Sequence, residues 1–193
     1  MLASLLLSAC AGLSTPTAGT ENMPMTGGAA DDAAFDRLFI EMMVPHHQGA
    51  LEMAQIAVER AEHPEVQAMA AEILETQSIE IEQMLGWMET WYGTREVPSM
   101  AEMPMLPGME SMGHGHQTMD MAADVAALRA AAEPFDLAFI DAMIEHHQSA
   151  IDAAMVAQDQ ASRPEVQQLA QAIIDAQQRE IDLMNEWRLN WYP

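Results

Sequence analysis

Residues 35–53 read FDRLFIEMMVPHHQGALEM, and residues 135–153 read FDLAFIDAMIEHHQSAIDA. In both stretches apolar residues recur at spacings of three and four, which predicts an amphipathic helix. On such a helix Asp36, Met43 and Ala50 share a stripe with Phe39, His46 and Met53, so a thioether and an imidazole stand one above the other. A helix offers a soft metal ion two ligands in this way. The likeness extends beyond these stretches without insertion or deletion. Pro64, Glu65, Val66, Gln67, Ala70, Ile73, Gln77, Glu80, Ile81, Met84, Trp87 and Trp91 recur as Pro164, Glu165, Val166, Gln167, Ala170, Ile173, Gln177, Glu180, Ile181, Met184, Trp187 and Trp191. The chain is an internal duplication.

Composition narrows the function. Ala, Met, Leu, Gln and Glu dominate, which favours helix over strand. Thirty acidic residues against seven basic ones give a formal charge of -23, which repels phosphate backbones and excludes nucleic acid as a partner. Nineteen methionines beside a single cysteine are more than core filling ordinarily uses. The cysteine ends a short apolar run, Leu7-Ser8-Ala9-Cys10, similar to a lipobox, although no Lys or Arg precedes it. Residues 1–10 are therefore expected to be a signal segment that leaves Cys10 lipid-bearing, the only attachment to a membrane, because no other apolar run is long enough to span one. An exported protein with its cysteine so used has no free thiol for metal.

Four segments follow in order. Residues 11–30 read as a Gly-, Thr- and Pro-rich tether. Residues 31–93 hold a helical hairpin that starts near Asp31-Asp32, turns at His63-Pro64-Glu65 and stops at Gly93, with Pro64 in the first turn of the second helix. Residues 94–121 carry Pro, Gly and Met without a helical stripe and read as a mobile linker. Residues 122–193 begin with a short Ala-rich helix and repeat the hairpin, with Pro134 at its first helical position. A lone hairpin leaves half of each apolar stripe wet, so the two copies are expected to pair as one all-α four-helix bundle.

The turn also sets what faces the histidine pairs. In an antiparallel hairpin with equal rise, residues whose numbers sum to about 127 come opposite one another. Met43 then faces Met84 and His47 faces Glu80, while Met143 faces Met184 and His147 faces Glu180. The candidate metal ligands are thus Met43, His46, His47, Met84, Met143, His146, His147 and Met184. Thioether sulfur prefers Cu(I), imidazole accepts Cu(I) and Cu(II), and Ag(I) follows the same logic, so copper is the expected ion, as Cu(I). Glu80 and Glu180 are expected to fix a histidine tautomer from behind, with Gln77 and Gln177 as auxiliary donors one turn away. Met42 and Met53, replaced by Ala142 and Ala153 in the copy, read as packing or auxiliary residues. Asp36 and Asp136, opposite Trp91 and Trp191, read as solvated or hydrogen-bonded structural groups. A second candidate set lies in the linker, where no core is expected: Met100, Met103, Met105, Met109, Met112, His114, His116, Met119 and Met121 could wrap Cu(I) or absorb oxidant as sulfoxide.

Neither hairpin contains the Glu-x-x-His of a di-iron site or the His-Glu-x-x-His of a zinc protease, and no Gly-x-Ser-x-Gly nucleophile motif occurs. The combination F-x-x-x-[FI]-x-x-M-[VI]-x-H-H-Q-x-A, P-E-V-Q and Q-x-x-E-I-x-x-M-x-x-W resembles a bacterial family catalogued as domain of unknown function 305, here in tandem over residues 35–92 and 135–192. The resemblance implies a ferritin-like helical fold and export. Through relatives of the CopM type it further implies periplasmic copper binding tied to copper tolerance, carried here by Met43, His46, His47, Met84 and their copies. The resulting expectation is a non-enzymatic copper protein that sequesters the ion or hands it to another copper-handling protein. The alternatives are a ferritin-like redox enzyme with a His/Met centre and a Met-rich scaffold that scavenges oxidant.

Overall fold

The computed structural model describes residues 28–100, 104, 106–109 and 121–193; the signal segment with Cys10 and residues 11–27 of the expected tether lie outside them. Five helices follow in order: α1 (Gly28–Arg60), α2 (Pro64–Tyr92), α3 (Met121–Arg129), α4 (Phe135–Gln160) and α5 (Pro164–Trp191). The described residues contain no strand, and no helix among them is long and apolar enough to cross a membrane.

The two hairpin turns are built alike. His63 and Arg163 are extended, at φ −83°, ψ 126° and φ −92°, ψ 125°, as a residue before proline is forced to be. Pro64 and Pro164 then start α2 and α5 where a missing N–H costs nothing. Gln67 and Gln167 each reach back 2.7 Å to donate to the carbonyl of Ala61 or Ala161, satisfying a group the preceding helix leaves open. At the far end of α2, Gly93 takes φ 73° and donates to Glu89 O at 3.0 Å, a left-handed cap that suits glycine. Two expected boundaries move. α1 already begins at Gly28, and Pro134 is the extended residue before α4 instead of its first helical residue, with the Phe135 N–H taken by the Glu133 carboxylate at 2.9 Å.

The hairpins α1–α2 and α4–α5 pack as the four-helix bundle expected of two tandem copies. α1 lies against α4, and α3 lies across both. Phe39, Met43, Met84 and Met88 share a core with Ala153 and Ala157 of α4 and Val166 and Ile173 of α5. Phe139, Met143 and Met184 share the corresponding core with Ala54 and Ala57 of α1 and Val66 and Ile73 of α2. The first half of each inner helix therefore meets the second half of the other, and a pseudo-two-fold axis relates residue i to residue i+100. Phe39 and Phe139, both fully buried, each contribute about 1.5–3 kcal/mol of apolar burial.

Asp36 and Asp136 tie the hairpins together. Each lies opposite a tryptophan in its own hairpin by register, but each is buried and spends its oxygens on the turn of the other hairpin. Asp36 accepts from Ser162 N at 2.9 Å, Ser162 Oγ at 2.6 Å and Arg163 N at 3.1 Å. Asp136 accepts from Glu62 N at 3.0 Å and His63 N at 2.9 Å, and pairs with His63 Nδ1 at 2.6 Å. His63 and Arg163, which differ between the copies, do equivalent work: His63 stacks on Trp191 at 3.9 Å, and the Arg163 guanidinium lies 4.1 Å over Trp91.

The linker was expected to have no core to fill, and its described part corrects that. Leu106 and Met109 are buried in the first core, and Val97 and Met100 pack against it. Gly108, at φ 97°, lets the chain approach α4: a Cβ there would come 2.8 Å from Gln160 Nε2 and 3.0 Å from Val156 Cγ1. Apolar cover for that core explains these residues more simply than metal binding does. Met121 opens α3, which Arg60 holds in place by donating to the carbonyls of Arg129 at 2.9 Å and Ala131 at 2.8 Å. Met103, Met105, Met112, His114, His116 and Met119 lie outside the described residues.

Candidate metal centre

The pseudo-two-fold axis passes between α1 and α4 at the histidine pairs, so the two copies meet there. The His46 and His146 rings are 3.9 Å apart between centroids, with His47 at 6.3 Å from His46 and His147 at 6.2 Å from His146. Four imidazoles thus form one cluster in the middle of the bundle, all of them buried. Sequence reasoning gave each hairpin its pair; the crossing of the hairpins joins them.

Hydrogen bonds fix which nitrogen of each ring is free. His47 Nε2 donates to Glu80 at 2.8 Å and His147 Nε2 donates to Glu180 at 2.6 Å, the register the turn predicts. His46 Nε2 lies 2.7 Å from Ser149 Oγ, whose own proton goes to the His146 carbonyl at 2.8 Å, so the ring donates and the hydroxyl accepts. In all three rings the partner takes Nε2–H, so Nδ1 is the nitrogen left without a partner. Neither nitrogen of His146 makes a well-formed hydrogen bond.

The electrostatics keep the inner rings neutral. Burial, then the proximity of His47 and His147, lowers the His46 pKa to about 3. Burial, then His46, His147 and His47, holds His146 well below its ordinary value of 6.5. A neutral ring keeps a lone pair for a metal ion, whereas a protonated one has none.

Met43, Met84, Met143 and Met184 are all fully buried, each pair within one core as the register predicts, and Met43 and Met143 stand one helical turn before the histidines. The Gln77 and Gln177 Oε1 atoms are also buried without a partner. Among the described residues no three His, Cys, Asp or Glu side chains form a ready-made metal cage. The donor set on offer is therefore imidazole with thioether, suited to a soft monovalent ion more than to zinc or iron. Ser149, which orients His46, was not anticipated. Its signal was available as the one departure inside the otherwise kept His-His-Gln-x-Ala run, Gly49 standing in the first copy.

Residues 36–188 match the family described as Domain of unknown function (DUF305). The chain belongs to this family. Among solved structures, this DUF305 chain is similar to CopM in the Cu(I)-bound form, at 38% identity and TM-score 0.67 over 82% of this chain and 98% of that one. It is similar to CopM in the Cu(II)-bound form at 40% identity and TM-score 0.65, over 81% and 97% of the two chains. A DUF305 protein of Streptomyces coelicolor, assigned as secreted, matches at 28% identity and TM-score 0.67 over 84% of this chain and 95% of that one. No curated protein sequence matches the chain.

Proposed function

We propose that this DUF305 protein is an exported copper-binding protein that takes up Cu(I), and Ag(I) by the same chemistry, for sequestration or hand-over without turnover. Five imidazole nitrogens buried without a partner at the centre of the bundle carry the reading. Each unsatisfied buried polar group costs about 1–3 kcal/mol, so a purely structural cluster would gain by apolar replacement. Core filling accounts for Met43, Met84, Met143 and Met184, but it does not account for those nitrogens.

In this reading His46, His47, His146 and His147 supply nitrogen, Met43, Met84, Met143 and Met184 supply sulfur, and Glu80 and Glu180 hold the outer rings with Nδ1 turned inward. The CopM structures with Cu(I), Cu(II) and Ag support copper as the cargo. Thioether donors favour Cu(I) among these. The lipobox-like Leu7-Ser8-Ala9-Cys10 and the secreted relative support export, with Cys10 as the anchor.

The test is anaerobic Cu(I) titration against a chromogenic chelator. His46→Ala with His146→Ala is expected to weaken binding by about 100-fold or more, about 2.7 kcal/mol. Replacing the four methionines by Leu preserves packing while removing sulfur, so a loss of Cu(I) affinity there separates ligation from core filling. Absence of saturable uptake by the wild-type chain would refute the function.

A further inference from the structure

The two sides of the histidine cluster differ where the repeat fails. Ser149 faces His46, and the pseudo-two-fold sets Gly49 correspondingly against His146. A Cβ on Gly49 would come 2.8 Å from Met121 Sδ and 3.1 Å from Met121 Cγ, so the thioether of the first residue of α3 fills the space a side chain at 49 would take. Where the His46 side has Leu38 and Met42, the His146 side has Ala138 and Ala142. The room left by the two alanines is a cavity of about 220 Å³, lined by Met53, Asp124, Ala138, Ala142, Glu145 and His146 among others; Met121 is outside the lining and stands on α3 one helical turn before Asp124. Met53 is itself a departure from the repeat, since Ala153 is its counterpart. Exposed Glu145, at the place of Pro45, stands on the cavity wall and presents a carboxylate to an approaching cation.

We infer that His146, Met53 and Met121 form an outer Cu(I) site, reached from solvent through this cavity, from which the ion passes to the inner imidazoles. The inference rests on the copper reading above and adds a route and a direction to it. His146 is 4% exposed and neither ring nitrogen makes a well-formed hydrogen bond, although the His46 backbone lies close enough to act on the ring; its unprotonated nitrogen is left as a donor for an ion in the cavity, and its ring is already in contact with His46. One imidazole and two thioethers carry no charge, a set that holds Cu(I) or Ag(I) and holds Cu(II) or Zn(II) poorly. Such a site binds loosely enough to release inward. On the His46 side, among the described residues, Leu38 and Met42 stand in the place of the two alanines and Ser149 occupies the ring nitrogen.

The test follows the methionine methyl carbons of the full chain by NMR during Ag(I) titration, and loading by stopped-flow with Cu(I). The first additions of Ag(I) are expected to shift the Met53 and Met121 methyls, and the double variant Met53→Leu with Met121→Leu to load the inner site about tenfold more slowly. Gly49→Ser, which evicts the Met121 thioether and offers His146 a hydroxyl, is expected to slow loading likewise. If both methyls stay unshifted to saturation, or the double variant loads at the wild-type rate, the outer site is refuted. Loss of binding in the His46→Ala, His146→Ala chain would then still uphold the inner centre. If the wild-type chain takes up neither ion, both readings fall.

Discussion

The two flanks of the histidine cluster began as copies and now differ in kind. On the His46 side Met42 is buried in the first core with Leu38 packed against it, Leu106 and Met109 of the linker belong to the same core, and Ser149 holds the ring by Nε2. On the His146 side Ala138 and Ala142 stand beside a cavity, Gly49 makes way for a thioether, and neither ring nitrogen makes a well-formed hydrogen bond. Five substitutions between the copies, at 38, 42, 45, 49 and 53 and their counterparts, account for the contrast. The features the flanks still share, the His–Glu pairs and buried methionines, are those the proposed inner centre requires.

Acidification is expected to have the largest effect, and it should act on both flanks. The pKa values of His46 and His146 are lower in the folded protein than in the unfolded chain, so the unfolded state binds more protons below pH 6.5. The stability these rings contribute to the metal-free protein is therefore fully present above pH 6.5 and is lost as pH falls towards the folded values, by about 3 kcal/mol for His46 at pH 4.5 and in the same direction for His146. Because protonation also relieves the repulsion of a chain with charge -23, the measurement is a difference: urea unfolding at pH 7 and pH 4.5 for wild type and for His46→Gln and His146→Gln. Each variant should flatten the profile. A slope unchanged in either would mean that ring is protonated in the native state.

Packing comes next and should split the flanks. Met42→Ala hollows the His46 side and is expected to cost about 2–5 kcal/mol, whereas Ala142→Met fills an existing cavity and should change stability by less than about 1.5 kcal/mol while slowing copper loading. Equal costs for the two changes, read as shifts in the urea midpoint, would show the His146 side to be as tightly packed as the His46 side. A smaller cost than that of Met42→Ala is expected of Ser149→Gly, which frees His46 Nε2 and costs about 1–3 kcal/mol in the metal-free protein. If that cost persists unchanged in the Cu(I)-loaded protein, the freed nitrogen has gained no ligand role.

Much of this was legible from periodicity alone. The duplication, the proline turns and the antiparallel register followed from spacing, and the register placed Glu80 at His47 and Glu180 at His147 before any distance was known. How one hairpin crosses the other was not legible, because each apolar stripe is compatible with several crossings and only packing selects among them. The meeting of His46 with His146 and the reach of Asp36 to Ser162 both depend on that crossing. Asp36 and Asp136 did carry a signal: a charged residue kept at the same apolar register in both copies is rarely left to solvent. The linker misled for a compositional reason, since Pro, Gly and Met without a stripe describe a mobile chain and a draped one equally well.

Each hairpin is completed by the other, since the carboxylates of Asp36 and Asp136 find their amides only across the axis. A chain with one repeat would bury an uncompensated charge unless it met a twin, so the bundle has the geometry of an isologous homodimer whose protomers have been fused. Fusion replaces a concentration-dependent encounter with a tethered one, at an effective concentration on the order of millimolar. It also frees the two protomers from having to be identical, so one can be remodelled without imposing the change on its partner.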